Sequence, residues 1–237
     1  MTTLTVLTIL RLVHLTGLIM GFGGAVLADY TIFSHGVIRP VGNYTIFQTR
    51  LLSHIVSIGL CILWVSGFAL IMVKLQFQPD FMQNPKVWAK IVVVVMLTIN
   101  GILVHRFIFP LVTRSQGRRL FDGLNVRQIA GLTFLGSVSL VSWSLPFVLG
   151  KAAGLNFITP MSSILAAYLA LILVAWLGLF TFMSCVRSIQ QLAAKQSAEL
   201  DMTAKSWDEQ IAALREGAVI DTRHGDDRVR NLAHFRN

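Results

Sequence analysis

Apolar residues run along this chain in five long blocks, and polar residues gather in the short stretches between them and in a tail. The blocks cover about residues 5–28, 51–73, 88–112, 128–149 and 161–186. Residues 128–150 and 152–186 carry no charge, and 51–73 carries only His54 as an ionisable polar group. A helix rises about 1.5 Å per residue, so roughly 20 apolar residues cross a hydrocarbon core about 30 Å thick. The alternation of a membrane β-barrel is missing. The pattern therefore predicts an all-α integral membrane protein, a helical bundle of about five transmembrane helices. Pro160 is placed to open the fifth helix, because proline suits a first helical turn. Residues 152–159 would then form a short interfacial loop.

The character of the chain changes at Arg187. Residues 187–237 read as a short helical tail on the cytoplasmic side. Ser206 and Glu209 have the spacing of a capping box, which would start a helix there, and Gly217 would end it. Leu200, Trp207 and Leu214 recur every seven residues with Ala204 and Ile211 between them. Three heptads make a short coiled-coil seam, so a helix lying on the protein's own cytoplasmic face is the expectation. The last fifteen residues, rich in Arg and Asp, are expected to be loosely ordered.

Composition agrees with a membrane chain. Of 237 residues, 54% are hydrophobic and 13% charged, against about 25% charged in soluble domains. The net charge of +9 belongs to the membrane part. Residues 1–186 hold twelve basic residues and three acidic ones (Asp29, Asp80, Asp122), whereas 187–237 holds eight of each. No soluble face interleaves aromatic and basic residues, so nucleic acid is excluded as a partner. Arg11 interrupts the first apolar block and no small-residue cleavage site follows, so the block reads as a retained span rather than a signal peptide. Cys61 and Cys185 lie inside apolar spans and read as buried small side chains rather than a disulfide.

Orientation follows from the distribution of Lys and Arg. Arg39, Arg50, Arg106, Arg114, Arg118, Arg119 and Arg127 fall on one side, and Lys74, Lys86, Lys90 and Lys151 on the other. The first set marks the cytoplasm. The N-terminus is then outside and the C-terminus cytoplasmic, as in a bacterial inner-membrane protein.

Against this apolar background a few polar side chains stand out. An ionisable group at the centre of a bilayer costs roughly 2.5 kcal/mol or more, which makes each a functional-site candidate. His14 lies roughly 13 Å from the outer end of span one. Lys90 enters span three from the same side, with a stem long enough to reach inward. These two could approach one cofactor. His54 and His105 lie at similar depths on the cytoplasmic side and form a second pair. Imidazole is a strong ligand for haem iron and for transition metals, so His14, His54, His105 and Lys90 are candidate metal and cofactor ligands. Arg11, one turn before His14, either snorkels to headgroups or pairs with an anionic group such as a haem propionate. Gly17, Gly21, Gly23 and Gly24 offer either a flat face for a macrocycle or close helix packing. Asn100 is expected to make an interhelical hydrogen bond. Trp64, Trp143 and Trp176 are expected to pack in the core. Apart from these groups the spans carry no evident carboxylate. His35 falls in the first loop, and His224 and His234 in the polar tail.

The segment Arg11-Leu-Val-His14, with Gly24 and His35 further on, resembles the first helix of the HemJ-type membrane protoporphyrinogen oxidases. Trp88-Ala-Lys90 resembles the Trp and Lys of that family's third helix. The likeness covers about residues 8–110 and extends to a broader haem- or copper-associated group that includes CopD-like proteins. The chain has Asn100-Gly101 where the family has His-Gly. The resemblance implies a small helical bundle binding haem b, with His14 and Lys90 as axial ligands.

Three classes of function follow. The leading one is a haem-b-binding membrane redox protein that oxidises a tetrapyrrole or passes electrons to or from a quinone. The second is a non-enzymatic scaffold of a larger membrane complex or homo-oligomer, built through spans four and five and the tail. The third is transport of copper or another small solute, for which Met20, Met72 and Met96 are the available soft ligands.

Overall fold

The computed structural model of the chain describes residues 2–152 and 158–234. Five helices carry nearly all of it: α1 Thr2–Val37, α2 Asn43–Phe77, α3 Pro85–Arg114, α4 Val126–Lys151 and α5 Met161–His234, with a 3-10 turn at Pro79–Gln83 before α3. All five are long and apolar enough to cross a membrane. The expected loop at 152–159 lies mostly outside the described residues. Each helix outruns the apolar block that predicted it, because the polar residues flanking a span continue its hydrogen-bonding.

Local chemistry sets several ends. At α3, Asn84 accepts from the Lys86 N–H at 3.1 Å and Pro85 takes the first helical position. At α4, Asn125 and Gln128 exchange two 2.9 Å bonds, the reciprocal arrangement that satisfies orphan N–H groups. Pro160 precedes α5, and its carbonyl accepts from Ser163. The tail differs from expectation: α5 continues without a break through Ser206 and Gly217. Ser206 caps nothing and donates to the Thr203 carbonyl one turn back. A serine inside a helix has that carbonyl within reach, so the capping-box spacing does not here mark a boundary. The segment expected to be loosely ordered is helical as far as His234.

By its contacts the chain forms two compact units, residues 1–184 and 185–237. In the first, α1 and α2 are the most closely paired helices, and α3 pairs with α4. The α1–α2 seam is made of backbone. A Cβ on Gly59 would lie 2.6 Å from Gly21 N and 2.8 Å from Gly17 O; one on Gly17 would lie 2.8 Å from Ile62 Cγ2. Gly21 also lies directly against the ring of Trp143 from α4. At Gly17, Gly21 and Gly24 the helix is thus closed by packing, whereas Gly23 points into open space. Trp143 is 2% exposed and shares a core with Ala25, Leu63 and Leu97. The other expected core tryptophans differ. Trp64 is 40% exposed and donates to Thr98 of α3. Trp176 is half-buried and donates to the Ala130 carbonyl.

The interior mixes large apolar side chains with small hydroxyl-bearing ones, and the outside is apolar, as expected for helices that pack in lipid. Ser66, Thr45, Thr49, Thr133, Ser137 and Ser142 are buried, whereas Ile19, Val65, Phe68, Ile102 and Val174 are exposed. The buried hydroxyls of Ser142 and Tyr168 share a 2.7 Å bond between α4 and α5. Interhelical bonds of this kind average about 0.6 kcal/mol in a membrane, with a maximum of about 1.7. A double-mutant cycle with Ser142→Ala and Tyr168→Phe, read by unfolding in detergent, is expected to return a coupling within that range; zero coupling would show that the pair is ornamental.

At one end of the bundle the α1–α2 and α3–α4 connections are knitted together. Val41 N donates to Arg118 O at 2.9 Å, Gly117 N to Val41 O at 2.8 Å and Leu120 N to His35 O at 3.0 Å. Gly117 has φ +83°, a left-handed conformation that only glycine adopts cheaply. This is the arginine-loop end; the opposite end, where α1 begins, is the amino end.

Candidate functional site at the amino end

Polar side chains from three helices converge near the amino end. His14 of α1 is half-buried, and its Nδ1 lies 2.8 Å from Ser66 Oγ of α2. Ser66 is 2% exposed and its hydroxyl points at the Ile62 carbonyl one turn back. A serine hydroxyl has one proton. With its proton turned toward the Ile62 carbonyl, Ser66 is placed to accept from His14 Nδ1. In the neutral ring that arrangement leaves the lone pair on Nε2, the form in which histidine ligates a metal. The next residue, Gly67, makes room: a Cβ there would stand 3.4 Å from His14 Cε1.

Lys90 of α3 is close enough for its charge to act on the His14 ring. It is half-buried and has no hydrogen-bond or ion-pair partner among the described residues. Lys86, one turn earlier, is buried and donates to the Ala152 carbonyl. Lys86 and Lys74 both act on Lys90, and Arg11 acts on Lys74. The amino end therefore carries several cations, Arg11, Lys74, Lys86 and Lys90, linked by electrostatic proximity, with Lys90 the one nearest His14 in that series.

The second expected pair is arranged differently. His54 is exposed, and its Nδ1 is held at 2.7 Å by the Arg50 carbonyl of its own helix. His105 is exposed and its ring lies 6.3 Å from that of Phe109. Arg50 in turn sits over the Phe109 ring at 5.9 Å, joining α2 to α3.

Other expectations need correction. His35 is not in a loop; it lies in the last turn of α1, bonded to Thr31 O at 2.9 Å. Asp29 also falls within α1, which runs nine residues past the expected boundary at Ala28, so a carboxylate does stand inside a candidate span. It is half-buried with no hydrogen bond or ion pair among the described residues. Asn100 is buried, but its Oδ1 finds no partner, so the expected interhelical bond is not made there. Cys61 and Cys185 are free, as expected, but both are exposed rather than buried. His224 and His234 lie within the helical run of α5.

Among the described residues no three or more His, Cys, Asp or Glu side chains gather to hold a metal ion. A haem asks less of the chain, because the macrocycle supplies four nitrogens and the protein only the axial ligands. Sequence reading missed Ser66, although Ser66-Gly67 interrupts an otherwise bulky apolar span. No family model, curated protein or solved structure matches the chain.

Proposed function

We propose that the bundle is a membrane redox protein that holds haem b at the amino end, with His14 and Lys90 as axial ligands. One observation carries this reading: the His14 Nδ1 is held by the buried Ser66 hydroxyl, which leaves Nε2 for a ligand, with the unpartnered Lys90 as its electrostatic neighbour. A lysine held inside a bundle without an acceptor is costly unless something occupies it. Lys90 meets that condition either as a neutral amine bound to iron or beside an anion. Arg11, Lys74 and Lys86 supply the cations that haem carboxylates would need. Ser66 and Gly67 orient the imidazole and leave its approach open.

A haem so bound supplies one-electron chemistry, its potential set by the axial ligands and by burial. Quinone-linked electron transfer and tetrapyrrole oxidation are both tasks for such a centre. The distribution of Lys and Arg supports an amino end that faces away from the cytoplasm, and we read the setting as a bacterial inner membrane.

The test is an absorption spectrum of the full chain, purified after expression with ample haem. A Soret band that shifts on dithionite reduction is expected. A preparation that is monodisperse and folded yet lacks that band would sink the proposal and leave the scaffold reading.

A further inference from the structure

The geometry points to a second haem site, in the groove between α2 and α3 near the arginine-loop end, with His54 and His105 as its ligands. It shares a cofactor with the reading above but depends on none of the same residues.

The Arg50 guanidinium of α2 lies over the Phe109 ring of α3, which brings these two positions together across the helices. The helices are antiparallel, so moving four residues from Arg50 to His54 and four back from Phe109 to His105 goes one turn in the same direction on both. The two histidines therefore stand level on neighbouring helices. The Trp64–Thr98 bond further along joins the same two helices again.

Side-chain chemistry comes next. A carbonyl can only accept, so His54 must donate from Nδ1 to Arg50 O. Its Nε2 is left without a partner among the described residues and, in the neutral ring, is the nitrogen that can ligate a metal. His105 has no hydrogen-bond partner among the described residues, and its only ring contact is with Phe109. Neither ring is engaged in holding the bundle together. Both are exposed, which in a membrane span leaves two bare imidazoles facing lipid unless something covers them.

The groove itself has space and polarity. A Cβ on Gly101, one turn before His105, would meet nothing within 4 Å. Ser57 and Cys61 continue the exposed polar stripe of α2. Arg50 sits at the groove's outlet toward the loop end, where an anionic substituent would lie. A planar macrocycle bearing carboxylates suits that layout: a slot between helices, two imidazoles at about one level and a guanidinium at the mouth. Twelve residues of α2 separate Ser66, beside His14, from His54, or about 18 Å along the axis. The two sites would thus occupy opposite halves of the membrane.

The experiment is the haem-to-protein ratio of the full chain, measured as the pyridine haemochrome, together with a redox titration. Wild type is expected to carry two haems. His54→Ala and His105→Ala should each reduce the ratio by half and remove one titration wave, and His14→Ala should remove the other. His105→Met guards against a folding defect: it should keep the haem and raise that wave's potential, as methionine ligation does. Unchanged haem content and titration in His54→Ala and His105→Ala would overturn the second site without touching the first. A ratio lost with His54 but indifferent to His14 would sustain it while removing the amino-end reading. Stoichiometric zinc in place of haem at these histidines would also overturn it.

Discussion

Alanine at His14 is expected to empty the amino-end site: haem occupancy there falls at least tenfold, and its redox wave disappears. The expectation rests on division of labour around the imidazole. His14 supplies the lone pair, and Ser66 fixes which nitrogen bears it. Ser66→Ala should therefore be milder than His14→Ala. Removing a hydrogen bond that orients a ligand costs about 10- to 100-fold in affinity. Lys90→Arg should behave like Lys90→Ala, despite keeping the charge, because guanidinium does not lose its proton in proteins. If Lys90→Arg binds as wild type does, the lysine acts as a cation rather than as a ligand. If Ser66→Ala is as damaging as His14→Ala, the hydroxyl holds the fold rather than the tautomer.

The largest effect on stability should come from Gly59. A methyl there would strike the backbone of α1, at 2.6 Å from Gly21 N and 2.9 Å from its Cα. A flexible side chain can swing aside, but backbone cannot, so the whole α1–α2 seam must open. Overpacking costs about 1–3 kcal/mol in ordinary cores, and Gly59→Ala should reach at least the top of that range. Gly59→Leu should fail to give a monodisperse protein. Gly23→Ala is the matched control. A Cβ there meets nothing within 4 Å, and alanine favours the helix by about 1 kcal/mol over glycine. Thermal unfolding in detergent should show the first variant weakened and the control unharmed or improved. Equal behaviour of the two would mean that the seam is not close-packed.

Much of this fold was legible in the sequence. Five spans follow from apolar length alone, because lipid demands a continuous apolar surface. Their ends were less legible. Helical hydrogen-bonding does not stop where hydropathy does, which is why Asp29 and His35 lie in α1 rather than beyond it. The capping-box spacing at Ser206 misled for a related reason: nothing in Ser-x-x-Glu distinguishes a helix start from a helix interior. The matched depth of His14 and Lys90 could be estimated by counting residues, and in the structure Lys90 is an electrostatic neighbour of His14. The hydrogen bond from His14 to Ser66 could not be counted out, since it depends on how α1 and α2 cross. That crossing is set by glycines whose contacts appear only in three dimensions. The register of His54 with His105 likewise needed the Arg50–Phe109 contact.

The Ser66 hydroxyl carries one more implication. With the Ser66 hydrogen turned toward Ile62, a neutral His14 ring keeps its own hydrogen on Nδ1 and presents Nε2 bare. A Lewis acid docking on that nitrogen would displace no hydron from such a ring.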